Sequence, residues 1–197
     1  MLRGRFDSGR SVPARFLFGV SADVAQGLAY MHSLGISHGD VYAHNVLVKK
    51  GKDGPLMPLR QQSPHPSTSS SSSGASFLVQ DEQVKGPAAE VTEVVFARLF
   101  DFGAAFFYPP ECASLIEAVE VRAFGLLLQD LVNFFHASPA AGDEDEATAA
   151  AVAYLRAVAE ACAKRAPAQR PSFAAVAQAL ALLRDFGVAR AKGELPL

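Results

Sequence analysis

Apolar positions recur at helical spacing through VSADVAQGLAYMHSLG, where Val20, Val24, Leu28, Met31 and Gly35 share one face and Gly35 is placed to stop the helix. Val46, Leu47 and Val48 then form a short apolar run closed by KKGKDG, which predicts a buried strand followed by a turn. VVFARLF at 94–100 is rich in β-branched and aromatic residues and suits a second strand. IEAVEVRAFGLLLQDLVNFF is apolar nearly all round, the mark of a helix enclosed by others. A fourth helix carries Val152, Leu155, Val158 and Cys162. A fifth starts at Ser172 as N-cap, buries Phe173, Val176, Leu180 and Leu183, and meets Gly187 as C-cap. Phe-rich pieces at 16–18, 106–107 and 134–135 read as packing. The predicted fold class is mainly α with a small β-hairpin.

Composition divides the chain further. Residues 51–93 are dominated by Pro, Ser, Gly and charge, including SPHPSTSSSSSG, and read as a disordered insertion, with FLVQ at 77–80 a possible short strand. PAAGDEDE at 139–146 reads as an acidic loop. The resulting partition is a lead-in at 1–19, a domain at 20–187 and a tail at 188–197. Half the residues are hydrophobic, enough for a real core. The formal charge is −2, from 18 basic and 20 acidic residues without a basic block, which argues against nucleic acid as a partner. Two cysteines, Cys112 and Cys162, are too few for a disulfide framework or a Cys₄ zinc site. No apolar run has the length of a membrane segment, and the N-terminal stretch lacks a signal-peptide core, so a cytoplasmic location is expected. His32, His65 and His136 lack partners at metal-ligand spacing and read as ordinary surface or helix residues.

The chemistry concentrates in ISHGDVYAHNVLV and LFDFGAAF. Asp40 and Asn45 sit in a loop between a helix and a strand. Asp101 follows an apolar strand. The oxygens of Asn45 and Asp101 suit Mg²⁺, a hard ion that completes its shell with phosphate and water. Asp40 is then free to accept the proton of an incoming hydroxyl, and phosphoryl transfer needs little beyond such positioning and charge neutralisation.

This arrangement resembles the protein-kinase family, whose catalytic loop reads H-R-D-x-x-x-x-N and whose metal loop reads D-F-G. His38, Gly39, Asp40 and Asn45 match the first except at the arginine, and Asp101, Phe102 and Gly103 match the second. VEVRAFGLLLQDL at 119–131 looks like the family's central helix, with Glu120 where an aspartate ties back to the catalytic loop. RAPAQRPSF looks like its last inter-helix turn, with Arg170 in a structural position. The resemblance implies the α-rich C-terminal lobe of an ATP- and Mg²⁺-dependent protein kinase. Asp40 would be the base, Asn45 and Asp101 the metal ligands, and Leu47 part of the adenine pocket floor, with His38 and Phe102 packed beneath. The family's Gly-rich loop and strand lysine have no counterpart before Val20, so a longer kinase or a partner supplying the missing lobe is expected.

The departures are informative. Gly39 replaces the arginine that clamps a phosphorylated activation segment in many relatives. Tyr42 stands where Ser/Thr kinases carry a lysine, and His44 where tyrosine kinases often carry an arginine. The segment after Asp101 is short, which weakens docking of a protein substrate, and its YPPE leaves Glu111 as a partner for Arg170. HGD also occurs in small-molecule phosphotransferases of the aminoglycoside and choline kinase type, a second reading. A kinase-like scaffold without activity is a third.

Overall fold

The computed structural model describes residues 14–52, 93–136 and 146–191. The Ser-rich run, FLVQ and most of the acidic loop lie outside the described residues. The first helix, α1, runs Ala14–Ser33, so it starts at Ala14 rather than at Val20. Every residue from Phe16 to Ala22 is buried, which is why a one-face periodicity does not reveal this first half. Past Gly35, whose φ of 70° is the left-handed turn that ends such a helix, β1 (Ile36–Ser37) begins.

The catalytic-loop segment leads into β2 (Val46–Lys52), which pairs antiparallel with β3 (Glu93–Leu99) from Val46 opposite Leu99 to Lys52 opposite Glu93. A second small sheet joins β1 to β4 (Phe106–Phe107). Three further helices complete the body: α2 (Ala113–His136), α3 (Glu146–Ala163) and α4 (Phe173–Ala191). The class is mainly α with a small hairpin, as expected.

α2 packs along α3, and α1 packs between α4 and β3. The α2–α3 contact is backbone-close at Gly125, where an added Cβ would lie 2.7 Å from Cys162 Cβ and 2.9 Å from the Ala163 nitrogen. Phe124, Leu128, Leu155, Phe173 and Leu180 form the enclosed core with Leu17, Val20 and Leu28 of α1. Ser172 caps α4, its hydroxyl accepting the Ala175 amide at 3.3 Å. The expected stop at Gly187 does not occur, and α4 runs on to Ala191. A single glycine costs a helix only about 1 kcal/mol, and VARA after it continues readily. Asp23 ties α1 to β3 and α4, accepting the Ala97 amide at 2.9 Å and meeting Arg184 at 3.4 Å; burial pushes its carboxyl pKa up despite these partners. Among the described residues, no helix is long and apolar enough to cross a membrane.

Candidate functional site

The loop after β1 alternates in exposure. Val41, Ala43 and Asn45 are buried, while Asp40, Tyr42 and His44 are exposed. The buried set anchors the loop in the core and leaves the three polar side chains open to a substrate. Tyr42 and His44 form a tilted ring pair with centroids 5.3 Å apart. A 3₁₀ turn over Ala43–Asn45, closed by the Asn45 amide on the Tyr42 carbonyl at 3.0 Å, brings the chain round into β2. Leu47, 44% exposed beside the buried Val46, puts an apolar side chain on the open face of the hairpin.

Asn45 binds back to Asp40. Its Nδ2 donates to the Asp40 Oδ2 at 2.9 Å and to the Asp40 carbonyl at 3.0 Å. Both partners are acceptors, which fixes the amide orientation and leaves Oδ1 as the Asn45 atom suited to a cation. The Asn45 carbonyl accepts the Phe100 amide at 3.1 Å, and the Phe100 carbonyl accepts His38 Nε2–H at 3.2 Å. On its other side Asp101 is followed by Phe102, whose ring lies 5.1 Å from that of buried His38. The residues flanking Asp101 are thus both held by the loop that carries Asp40 and Asn45. Asp101 itself has φ 61° and ψ 73°, the one non-glycine positive φ among the described residues, and is exposed. Its Oδ1 accepts the Gly103 amide at 3.3 Å. Left-handed backbone at a non-glycine residue costs about 1–3 kcal/mol, and such strain clusters at functional sites.

Gly39 explains the missing arginine. Its φ is 77°, and a Cβ there would lie 2.4 Å from the Ala104 carbonyl oxygen. The loop carrying Asp40 and the loop carrying Asp101 meet backbone to backbone, and no side chain fits between them.

Glu120 holds the loop from below. It is 4% exposed, and its carboxylate accepts the amides of Gly39 at 2.6 Å and His38 at 3.1 Å and the Ser37 hydroxyl at 3.0 Å. Burial alone would raise this carboxyl pKa; the bonds from His32, Gly39, His38 and Ser37 outweigh it and leave it below its ordinary value. The expected tie from the central helix to the catalytic loop is present.

Other expectations are corrected. Arg170 does not pair with Glu111. Its guanidinium donates to the carbonyls of Lys164, Ala118 and Arg165 at 2.7, 2.7 and 2.9 Å, so it braces the turn and α2 through backbone oxygens. A different acid, Glu117, accepts the Phe173 amide at 2.7 Å. Phe106 and Phe107 are not core residues: they are 44% and 81% exposed, because among the described residues no layer packs outside the two-residue β4. His32 lies in a helix, α1, as expected, but it is not a surface residue. Its side chain is 5% exposed, bonded to Glu120 at 2.7 Å and to the Tyr108 hydroxyl at 2.6 Å, and stacked on Phe173 with centroids 5.1 Å apart. Its partners lie far along the chain, so no local spacing marked it. Phe16–Phe18 and Phe135 are buried as expected.

A model of the lipopolysaccharide kinase (Kdo/WaaP) family matches residues 20–57. The matched stretch covers most of α1, β1, the loop that carries Asp40 and Asn45, and β2. The chain is similar there to a kinase family, and the α-rich body around it is consistent with a kinase-like C-terminal lobe.

Proposed function

We propose that the chain carries the catalytic loop of an ATP-dependent phosphotransferase whose acceptor is the hydroxyl of a saccharide or another small molecule. The observation that carries this reading is the Asp40–Asn45–Asp101 arrangement: an exposed carboxylate held by an asparagine amide, on a loop that also grips both neighbours of a second exposed carboxylate. Asn45 Oδ1 and the Asp101 carboxylate are the groups that would hold Mg²⁺, and the ion would supply charge neutralisation on the triphosphate. The Asp40 carboxylate takes the proton from the acceptor hydroxyl as its oxygen bonds to the γ-phosphorus. The bond from that phosphorus to the bridging oxygen breaks, and ADP leaves with the electron pair. Leu47 offers apolar surface to the base of the nucleotide, while exposed Tyr42 and His44 line the acceptor side.

Two observations favour a small acceptor over a protein. The family matched at the catalytic loop is named for lipopolysaccharide. The stretch from Asp101 to α2 is short and folded down by β4 and a 3₁₀ turn over Pro110–Cys112, leaving little platform for a peptide. A protein hydroxyl is the second reading, favoured by Asp101, Phe102 and Gly103 with Phe102 set against His38. Incubation with γ-labelled ATP, Mg²⁺ and either a saccharide panel or a mixed protein substrate separates the two. With the lobe carrying the Gly-rich loop and strand lysine joined to the chain, label is expected on a saccharide and is lost with Asp40→Asn; label on protein alone would establish the second reading, and label on neither would overturn both.

A further inference from the structure

Tyr108 lies in the segment between the Asp-Phe-Gly loop and α2, and it is held on several sides. Its amide donates to the Gly35 carbonyl at 3.0 Å. Its hydroxyl lies 2.6 Å from His32 Nδ1 and 3.3 Å from the His32 carbonyl. On the opposite edge of the imidazole, His32 Nε2 is 2.7 Å from Glu120 Oε2. A carboxylate only accepts, so Nε2 must carry a proton; in a neutral ring Nδ1 is then an acceptor, and the Tyr108 hydroxyl is the donor placed to fill it. Phe173 stacks on one ring face at 24° and offers no polar partner. Glu120 Oε2 also accepts the His38 amide, and Oε1 accepts the Gly39 amide.

We infer that Tyr108 is a positioning residue: its hydroxyl fills His32 Nδ1 and holds the ring so that Nε2–H points at Glu120, and Glu120 sets the backbone of His38 and Gly39, immediately before Asp40. Beside the backbone pairing of β4 with β1, and because Gly39 has no room for a side chain, the side-chain tie from this segment toward the Asp40 loop runs through the Tyr108 hydroxyl. The consequence for Asp40 rests on the phosphotransferase reading; the tautomer and the loop amides do not, and both are read without nucleotide. In a phosphoryl-transfer assay, loss of the tie lowers kcat and leaves the KM for ATP unchanged.

The test is long-range ¹H–¹⁵N NMR of the His32 ring in the full chain, with hydrogen exchange at the His38 and Gly39 amides. The expected result is a single Nε2–H tautomer at neutral pH. In Tyr108→Phe the Nε2 proton stays, because Glu120 still demands it, while the Nδ1 ¹⁵N signal shifts as its partner is lost and exchange at those two amides speeds at least tenfold, with the core amides of Leu128 and Leu155 changing less than twofold. A Nδ1–H or doubly protonated ring in the unaltered chain overturns the inference even where the variant fails to fold. Unchanged loop exchange in a folded Tyr108→Phe overturns it as well.

Discussion

Replacing Gly39 by alanine tests the backbone-to-backbone meeting of the two loops. Two costs combine. Alanine at φ 77° bears the left-handed penalty of about 1–2 kcal/mol. Its Cβ would also sit 2.4 Å from the Ala104 carbonyl oxygen, and because that neighbour is backbone, relief requires one loop to move. Overpacking of this kind costs about 1–3 kcal/mol. The sum is about 3 kcal/mol, which for a chain of this size lowers Tm by roughly 6–12 °C. Gly35→Ala is the internal control. Its φ is 70°, but its Cβ would meet the Tyr108 carbonyl at 3.4 Å, so it carries the conformational cost with little clash. Urea denaturation followed by circular dichroism, with both variants at the same pH, reads the difference. Gly39→Ala should lose about 1–3 kcal/mol more than Gly35→Ala. Equal losses would refute the close approach, and with it the steric explanation for the absent arginine.

Gly125→Ala should destabilise by about 1–3 kcal/mol in the same assay, since its Cβ would press on Cys162 and the α3 backbone. Glu120→Gln should cost about 3 kcal/mol at pH 7, because a neutral amide accepts more weakly and turns a donor toward donors. The pKa of Glu120 is lower folded than unfolded, so its contribution is complete above the unfolded value near 4.5 and fades as pH falls through the folded value. The gap between Glu120→Gln and the unaltered chain should therefore narrow only in acid; a gap that widens there would contradict the hydrogen-bond assignment. A disulfide reagent at pH 8 should modify one thiol of the folded chain and two after denaturation: Cys112 is exposed, whereas Cys162 is buried with its pKa pushed up to about 11.

The parts of the fold legible in the sequence were those with a local signal. The strand expected at 94–100 forms at Glu93–Leu99, and the Ser172 cap opens α4 where its hydroxyl can reach Ala175. Asp40, Asn45 and Asp101 were legible as a motif, and the structure adds the hydrogen bond from the Asn45 amide to the Asp40 carboxylate. What escaped was set by tertiary contact. The run from Phe16 to Ala22 in α1 is buried at every position, so it carries no amphipathic stripe. Phe106 and Phe107 have the composition of a core but sit in a two-residue strand with nothing packed outside it among the described residues. His32 meets Tyr108 and Glu120 across separations of 76 and 88 residues, beyond any spacing rule.

Isothermal titration with ATP of the chain joined to the lobe that carries the Gly-rich loop and strand lysine, with and without Mg²⁺, tests the central claim most directly. The account predicts saturable binding that requires Mg²⁺ and weakens at least tenfold in Asp101→Asn and in Asn45→Ala, with Asp40→Asn binding nearly as before. Binding that is indifferent to Mg²⁺ and to Asp101, or no binding at all, would contradict it.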